Sequence, residues 1–406
     1  MNVCVIGGGA AGMVSAIRAA GAGHNVRILE LRDRIGKKIL ATGNGKCNMS
    51  NADQSLSHYH GLEDEDASRR LVESVFEKFS QEDTLAFFEE LGIETINRNG
   101  YIYPRSEQAA SVLDVLRYKL EDLGVTISCD CSVREIIRDN KGFKIMTSQG
   151  LVNADRVIMA CGSLASLQKA SDDGYSLAKS LGHNVINPLP ALVPIECKGN
   201  VFKSVAGVRT KGSIRIYDNN NKLLSEDTGE LQLNSYGVSG IPAFMVSHIV
   251  SKYIAEGRKL FVSLDFMPEK SSDELKHMLY DRINRAPYKV AETFLIGLLN
   301  KNLALALVKE SGIDFKMQVT GLSDKNLDSL VSKIKDFRAE IIGTKSYKEA
   351  QICAGGVDVR ELKDTLESCL VEGLYFAGEM VDVHGDCGGY NLQWAFSSGS
   401  VCGNLI

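Results

Sequence analysis

Residues 3–13, Val3-Cys4-Val5-Ile6-Gly7-Gly8-Gly9-Ala10-Ala11-Gly12-Met13, decide how the rest of the chain is read. A short apolar run passes into a glycine cluster and then into the helical spacing Met13, Ala16, Ile17 and Ala20, which predicts strand, turn and helix. Gly7 permits the tight turn, Gly9 lets backbone approach a pyrophosphate, and Gly12 lets the helix pack closely on the strand. Phosphate would meet the free amides of the helix N-terminus. A second apolar strand, Val26 to Leu29, ends in Glu30, which is placed to accept hydrogen bonds from both hydroxyls of an adenosine ribose. A glycine turn alone would mark only an α/β sheet. Three glycines, both flanking elements and the acid together point to a bound dinucleotide.

The length of 406 residues predicts roughly two to three domains. A hydrophobic content of 44% and a charged content of 24% are those of a soluble globular protein. The net charge of −5, with no concentrated run of Lys and Arg, argues against a general nucleic-acid binder. The first strand begins at residue 2, which leaves no room for a signal peptide. The apolar stretch Val290 to Val308 is interrupted by Glu292, Asn300, Lys301 and Asn302, so it predicts a pair of buried helices and no membrane span. Ten cysteines occur without a C-x-x-C pair, the pattern of reduced, buried thiols in a cytoplasmic protein. Cys129 and Cys131 are predicted on one face of a strand, which favours packing over a disulfide.

After Glu30, the stretch Lys37-Lys38 and then Thr42-Gly43-Asn44-Gly45-Lys46-Cys47-Asn48 is too polar and glycine-rich for a core element. It reads as a functional loop whose lysines meet phosphate or ribose and whose backbone lies against a flat ring. Residues 62–92 carry helical spacing, Gly100 to Pro104 a short strand, and Ser106 the character of an N-cap for a helix to about Leu123. Strands at 125–131, 133–138, 142–148 and 151–153 suggest a small antiparallel sheet. Asp155 to Gly162 is a further strand ending in small residues, and a helix follows from Gly174 to about Gly182. Pro188, Pro190 and Pro194 mark a crossing into a second domain. Residues 193–267 alternate as strands, Ser271 to about Phe337 reads as helix, and strand character returns at 338–353. Leu374 to Ala377 is a strand, and Gly388-Gly389-Tyr390-Asn391-Leu392-Gln393 leads into a helix predicted to open at Asn391. Such a helix end suits the pyrimidine edge of a reduced flavin, where negative charge accumulates.

These stretches resemble a bacterial FAD-binding flavoprotein family labelled aminoacetone-oxidase-like, which includes a proposed bile-acid reductase. The matches span nearly the whole chain: the glycine turn with Glu30, the 42–48 loop, Ala160-Cys161-Gly162, Tyr236 to Pro242, Gly355 to Val357, and Gly373 to Glu379 through Gly388 to Gln393. The Gly-Lys-Cys-Asn loop combined with Gly-Gly-Tyr-Asn-Leu-Gln is the specific part. The resemblance implies an α/β fold, a Rossmann-like FAD-binding domain built from 1–190 and 351–406. It also implies a β-barrel-like insert at 191–270 and 338–350 and a helical insert at 271–337. FAD contacts are implied for Gly7, Gly9, Ala11, Gly12, Glu30, Lys37, Lys38, Val133, Gly378, Glu379, Asn391 and Leu392. The loop and turn residues Thr42, Gly43, Cys47, Asn48, Ala160, Gly162 and Gly389 complete the expected cofactor site. Where the family often has Arg before the loop cysteine this chain has Lys46, which keeps the charge and loses the bidentate geometry. Cys161 likewise replaces a threonine.

The expected activity is that of an FAD-dependent oxidoreductase on a small organic substrate. With only one dinucleotide fingerprint, an NAD(P)H donor would have to visit the flavin transiently. The alternatives are an oxidase that returns electrons to oxygen, and an FAD-binding sensory or interaction protein without turnover. Tyr103, His384 and Cys47 are candidate proton donors, beside the readings of Tyr103 as core, His384 as holding a loop and Cys47 as a small residue packed beside the ring. His58-Tyr59-His60 invites a metal reading that lacks a third ligand.

Overall fold

The apolar run after Met1 becomes β1, Asn2–Ile6, in a computed structural model of the chain that describes residues 1–165 and 173–404. The glycine turn then delivers α1, Ala10–Gly21, and the chain returns as β2, Asn25–Leu29. Further along lie β3, Thr126–Ser128, β4, Arg156–Met159, β5, Leu374–Phe376, and the last helix α2, Tyr390–Asn404. The five strands form one parallel sheet in the order β5-β4-β1-β2-β3, with Val5 level with Ile158 on one side and Ile28 on the other. Parallel pairing puts every carboxyl end on one edge, so Gly7, Glu30, Ala160 and Gly378 converge there. The core strands are buried almost completely, as befits a sheet covered on both faces.

Helices α1 and α2 pack with almost no side chain between them. A Cβ on Gly399 would lie 2.5 Å from the Ala11 carbonyl oxygen, and one on Gly403 would lie 2.4 Å from that of Ser15. The small residues of α2 are therefore packing residues. Its large ones, Trp394 and Phe396, fill the core beneath.

Two units divide the chain, Met1–Leu189 with Ile352–Ile406, and Pro190–Gln351. In the second unit Ile195–Cys197, Gly237–Ser239, Leu223–Asn234, Arg209–Asp218, Leu260–Asp265 and Phe337–Thr344 pair in that order and close into a barrel. Closure removes the free edges that would otherwise recruit another strand. The helices Ser272–Arg285, Lys301–Glu310 and Asp324–Lys335 bury Leu275, Leu279, Leu303, Leu307, Leu327 and Leu330 in the same core. Capping boxes at Ser271 and Ser323 start two of them. The Val290 to Val308 stretch forms the short helix Ala291–Phe294 and the helix from Lys301, and no helix among the described residues is long and apolar enough to cross a membrane.

Several local expectations are corrected. Residues 126–128 join the parallel sheet as β3 and leave the antiparallel sheet to Val133–Asp139, Gly142–Thr147 and Gly150–Ala154. The helix Ala109–Asp122 supplies the crossover that a parallel partner for β2 requires. That helix is capped at Gln108 without a side-chain bond, because Glu107 at φ 51° turns the chain away from Ser106. Asp130 at φ 51° likewise breaks the alternation expected of Cys129 and Cys131, and no cysteine among the described residues is in a disulfide. Within 193–267 the segment Ile241–Ala255 is a helix with Pro242 in its first turn. It is apolar on most faces, so it lacks the polar stripe by which a helix announces itself.

Candidate functional site

The turn after β1 is held by backbone. The Gly7 amide donates to the Leu29 carbonyl at 2.8 Å, and Gly36 returns to donate to Gly8 at 2.8 Å. Gly7 has φ 105°, and a Cβ there would lie 2.3 Å from the Ala160 oxygen. A Cβ on Gly12 would lie 1.9 Å from the oxygen of Gly7. Neither position accepts a side chain. Gly9 differs, for a Cβ there meets nothing within 4 Å. It is the N-cap of α1 and carries no capping side chain, so the first helical bond runs from Met13 to its carbonyl. The space beside Gly9 is thus open at the positive end of the helix, where the first amides have no intrahelical partner.

Glu30 already serves the turn. Its Oε2 accepts from the Gly8 amide at 2.7 Å and its Oε1 from the Arg32 amide at 2.8 Å, which fixes both oxygens and leaves lone pairs for ribose hydroxyls. The Glu30 carbonyl accepts from Cys131, two residues before Val133, so the 129–133 segment is drawn to the same end of the site. Replacing Glu30 with alanine is expected to weaken FAD binding by about 1.5–3 kcal/mol through lost charge-assisted bonds. An unchanged dissociation constant in a fluorescence titration would remove it from the site.

At the other end Lys38 pairs with Glu379 at 2.6 Å, and Ser163 donates to the same carboxylate at 3.3 Å. Gly162, with φ 74°, opens towards that carboxylate, and Gly378 lies against Ala11 at the start of α1. Lys37 is instead ion-paired with Asp33 in the 31–38 loop. The 42–47 loop is a run of left-handed residues, with Gly43, Asn44, Gly45 and Cys47 all at positive φ. Thr42 braces it by donating to Ile39 at 2.6 Å and accepting from the Cys47 amide at 3.1 Å. Asn48 Oδ1 is buried with no hydrogen-bond partner among the described residues, an acceptor left for a ligand donor. Lys46 bonds to Glu107 at 2.8 Å on the surface, in place of the bidentate contact an arginine would make.

Gly389 sits at φ 100° against Ser50, where a Cβ would be 2.4 Å from the Ser50 oxygen. α2 starts at Tyr390, one residue before the expected position. The Asn391 side chain clamps the preceding turn, accepting from the Gly385 amide at 2.8 Å and donating to the Gly385 and Asp386 carbonyls. Leu392 is half-buried against the core. Reading single residues missed the partners of this turn: Ser398, which accepts from the Gly378 amide, and fully buried Gln393, which accepts from Ser50 and donates to Thr84 and Ser397. Polar residues at helical spacing inside an otherwise small-residue helix were the available signal.

Of the proton-donor candidates, burial pushes the Cys47 thiol up to about 11, which keeps it protonated. Burial also raises Tyr103, whose ring faces the 42–47 loop 3.7 Å from where a Cβ on Gly43 would stand. His384 is buried on a strand pair opposite His60. His58 and His60 both bond to Asp386, and the described residues hold no cluster fit for a metal.

An open helix N-terminus at Gly9, the Glu30 carboxylate and the unpartnered acceptor of Asn48 fit a flavin dinucleotide. The HI0933-like protein Rossmann domain model matches residues 1–405. The chain belongs to the HI0933-like family. FAD is the cofactor of this Rossmann fold. Among its relatives, the 3-dehydro-bile acid delta(4,6)-reductase of Clostridium scindens is 41% identical over 99% of this chain and 98% of its own length. The ribosomal RNA dihydrouridine synthase of Escherichia coli is 30% identical over 99% of this chain and 96% of its own. The fold is also that of 3-ketosteroid-delta4-(5alpha)-dehydrogenase from Rhodococcus jostii, with a TM-score of 0.51 at 14% identity over 99% of this chain and 95% of that one.

Proposed function

We propose that this protein is an FAD-dependent reductase that saturates a carbon–carbon double bond conjugated to a carbonyl in a small, steroid-like substrate. The observation that carries the reading is what the names of its two full-length relatives have in common. A delta(4,6)-reductase and a dihydrouridine synthase both convert a C=C bond to C–C, and in a 3-oxo-4,6-diene and in uracil that bond is conjugated to a carbonyl. Conjugation to the carbonyl lets a hydride equivalent add to the electron-poor far end of such a bond and a proton to its other carbon. The higher identity favours the steroid-like substrate.

Bound FAD supplies two-electron hydride chemistry. Gly9 and the α1 amides bind the pyrophosphate, Glu30 the ribose, and Lys38 with Glu379 fixes the edge formed by Ala160, Gly162 and Gly378. Tyr103, kept protonated by burial, is the proton donor this reading favours, ahead of buried Cys47. NAD(P)H, visiting transiently, is the reductant. Ten cysteines without a C-x-x-C pair support a reducing, cytoplasmic setting.

The second reading, uracil in RNA, is favoured by the Escherichia coli relative and opposed by the net charge of −5. One experiment separates the two. Protein-bound flavin is reduced anaerobically and mixed with 4-androstene-3,17-dione, a 3-oxo-4,6-diene steroid, or a uridine-containing RNA. Rapid return of oxidised-flavin absorbance with an enone steroid is the expected result. Reoxidation by RNA alone would move the substrate to uracil, and none with any acceptor would sink the reductase reading. Tyr103→Phe is expected to slow reoxidation by roughly 10²-fold or more with FAD affinity unchanged. An unchanged rate would assign the proton elsewhere.

A further inference from the structure

Five titratable side chains form an alternating row beside the glycine turn that opens α2. Asp53 Oδ2 lies 3.2 Å from His58 Nε2, and His58 Nδ1 lies 2.9 Å from Asp386 Oδ2. Asp386 Oδ1 lies 3.1 Å from His60 Nε2, and His60 Nδ1 lies 3.2 Å from Glu65 Oε1. Every ring nitrogen in the row faces a carboxylate oxygen. A neutral imidazole has one N–H and one lone pair, and an ionised carboxylate only accepts, so a neutral ring can serve only one of its two carboxylates. The row is fully bonded when both rings are imidazolium.

We propose that the clamp of His58 and His60 on Asp386 is a pH-responsive positioning device for the turn that presents α2 to FAD. Asp386 is tied into that turn through its backbone: its amide donates to the His58 carbonyl at 3.0 Å, and its carbonyl accepts from Asn391 at 3.2 Å. Gly388 and Gly389, at φ 144° and 100°, then carry the chain into the helix. Glycines hold no conformation by themselves, so the turn depends on its anchors.

The surrounding groups leave the histidines and carboxylates in control of the charge. Arg69 is ion-paired with Glu65. Tyr390 stacks on His58 at 4.5 Å, Tyr59 donates to Gln54, and Cys387 flanks Asp386; burial raises all three, so they stay neutral. The His384 ring, buried on the neighbouring strand, lies 5.5 Å from that of His60. Burial works against a charged His60, but Asp386 and Glu65 outweigh it and hold its pKa above the ordinary value. Burial likewise works against the Asp386 carboxylate, and the two rings outweigh it and hold its pKa below the ordinary value. The raised His60 contributes stability that is fully present below the ordinary histidine pKa and lost as pH rises through its own. The lowered Asp386 contributes stability present above the ordinary carboxylate pKa and lost as pH falls through its own. The clamp is therefore complete between the two ordinary ranges and opens on the alkaline side first.

The inference rests on FAD lying at the α2 end, and not on which double bond is reduced. Histidine ring ¹⁵N NMR on the purified FAD-loaded protein at about pH 7, just above the ordinary histidine value, is expected to show His60 as imidazolium. The FAD dissociation constant is expected to rise about threefold or more between about pH 6 and about pH 8.5. His60→Gln should flatten that dependence, and Asp386→Asn should weaken binding at both ends. A neutral His60 ring at pH 7, or one and the same pH dependence in wild type, His60→Gln and Asp386→Asn, would overturn the proposal. If Asp386→Asn fails to fold, the ring measurement on the wild type still decides. Failure to reduce any enone leaves both readouts intact.

Discussion

Replacing Gly9 with alanine is expected to leave the protein folded while raising the FAD dissociation constant at least about tenfold, roughly 1.4 kcal/mol. Two facts set this outcome. Gly9 has φ −81° and ψ −167°, which alanine adopts without strain, and a Cβ there meets no protein atom within 4 Å. Exchanging glycine for alanine at an N-cap costs under about 1 kcal/mol of stability. The added methyl instead occupies the space in front of the α1 amides, where pyrophosphate is proposed to bind. Gly12→Ala gives the opposite signature. Its Cβ would lie 1.9 Å from the Gly7 carbonyl oxygen, backbone against backbone, and the fold is expected to lose about 2–3 kcal/mol. Isothermal titration with FAD and thermal unfolding of the FAD-free protein separate the two effects. Normal FAD affinity in Gly9→Ala would show that the helix end is not the cradle.

Gln393→Leu is expected to destabilise the nucleotide unit by about 3 kcal/mol or more. The side chain is fully buried, accepts from Ser50 at 2.7 Å, and donates to Thr84 at 2.7 Å and Ser397 at 2.8 Å. Leucine fills most of the space and answers none of those hydroxyls, and each stranded polar group carries its desolvation cost. The single tryptophan of the chain, Trp394, is adjacent and buried, so its fluorescence in urea reports this unit without the barrel. An unchanged midpoint would show that Gln393 does not brace the fold.

What the sequence determined by itself was set by chemistry acting over a few residues. The strand, glycine turn and helix at 2–21, the carboxylate closing β2, and an insert containing strands and then helices are all legible because φ freedom, capping and apolar period are local properties. The close approach at Gly12 belongs to the same class, since the Gly7 carbonyl of the turn itself forbids a Cβ there, whereas at Gly7 it is Ala160 on the neighbouring strand that forbids one. Where periodicity carried no contrast the reading failed: the apolar helix Ile241–Ala255 passed as strand, and β3 passed as part of a hairpin sheet although the parallel sheet claims it. Tertiary structure alone decided the long-range polar partnerships. Asp386 meets His58 and His60 across more than three hundred residues, and Ser50 meets Gln393 across 343. No local rule pairs such residues, because their hydrogen bonds exist only once the sheet has brought both ends of the chain to one edge and taken water away from them.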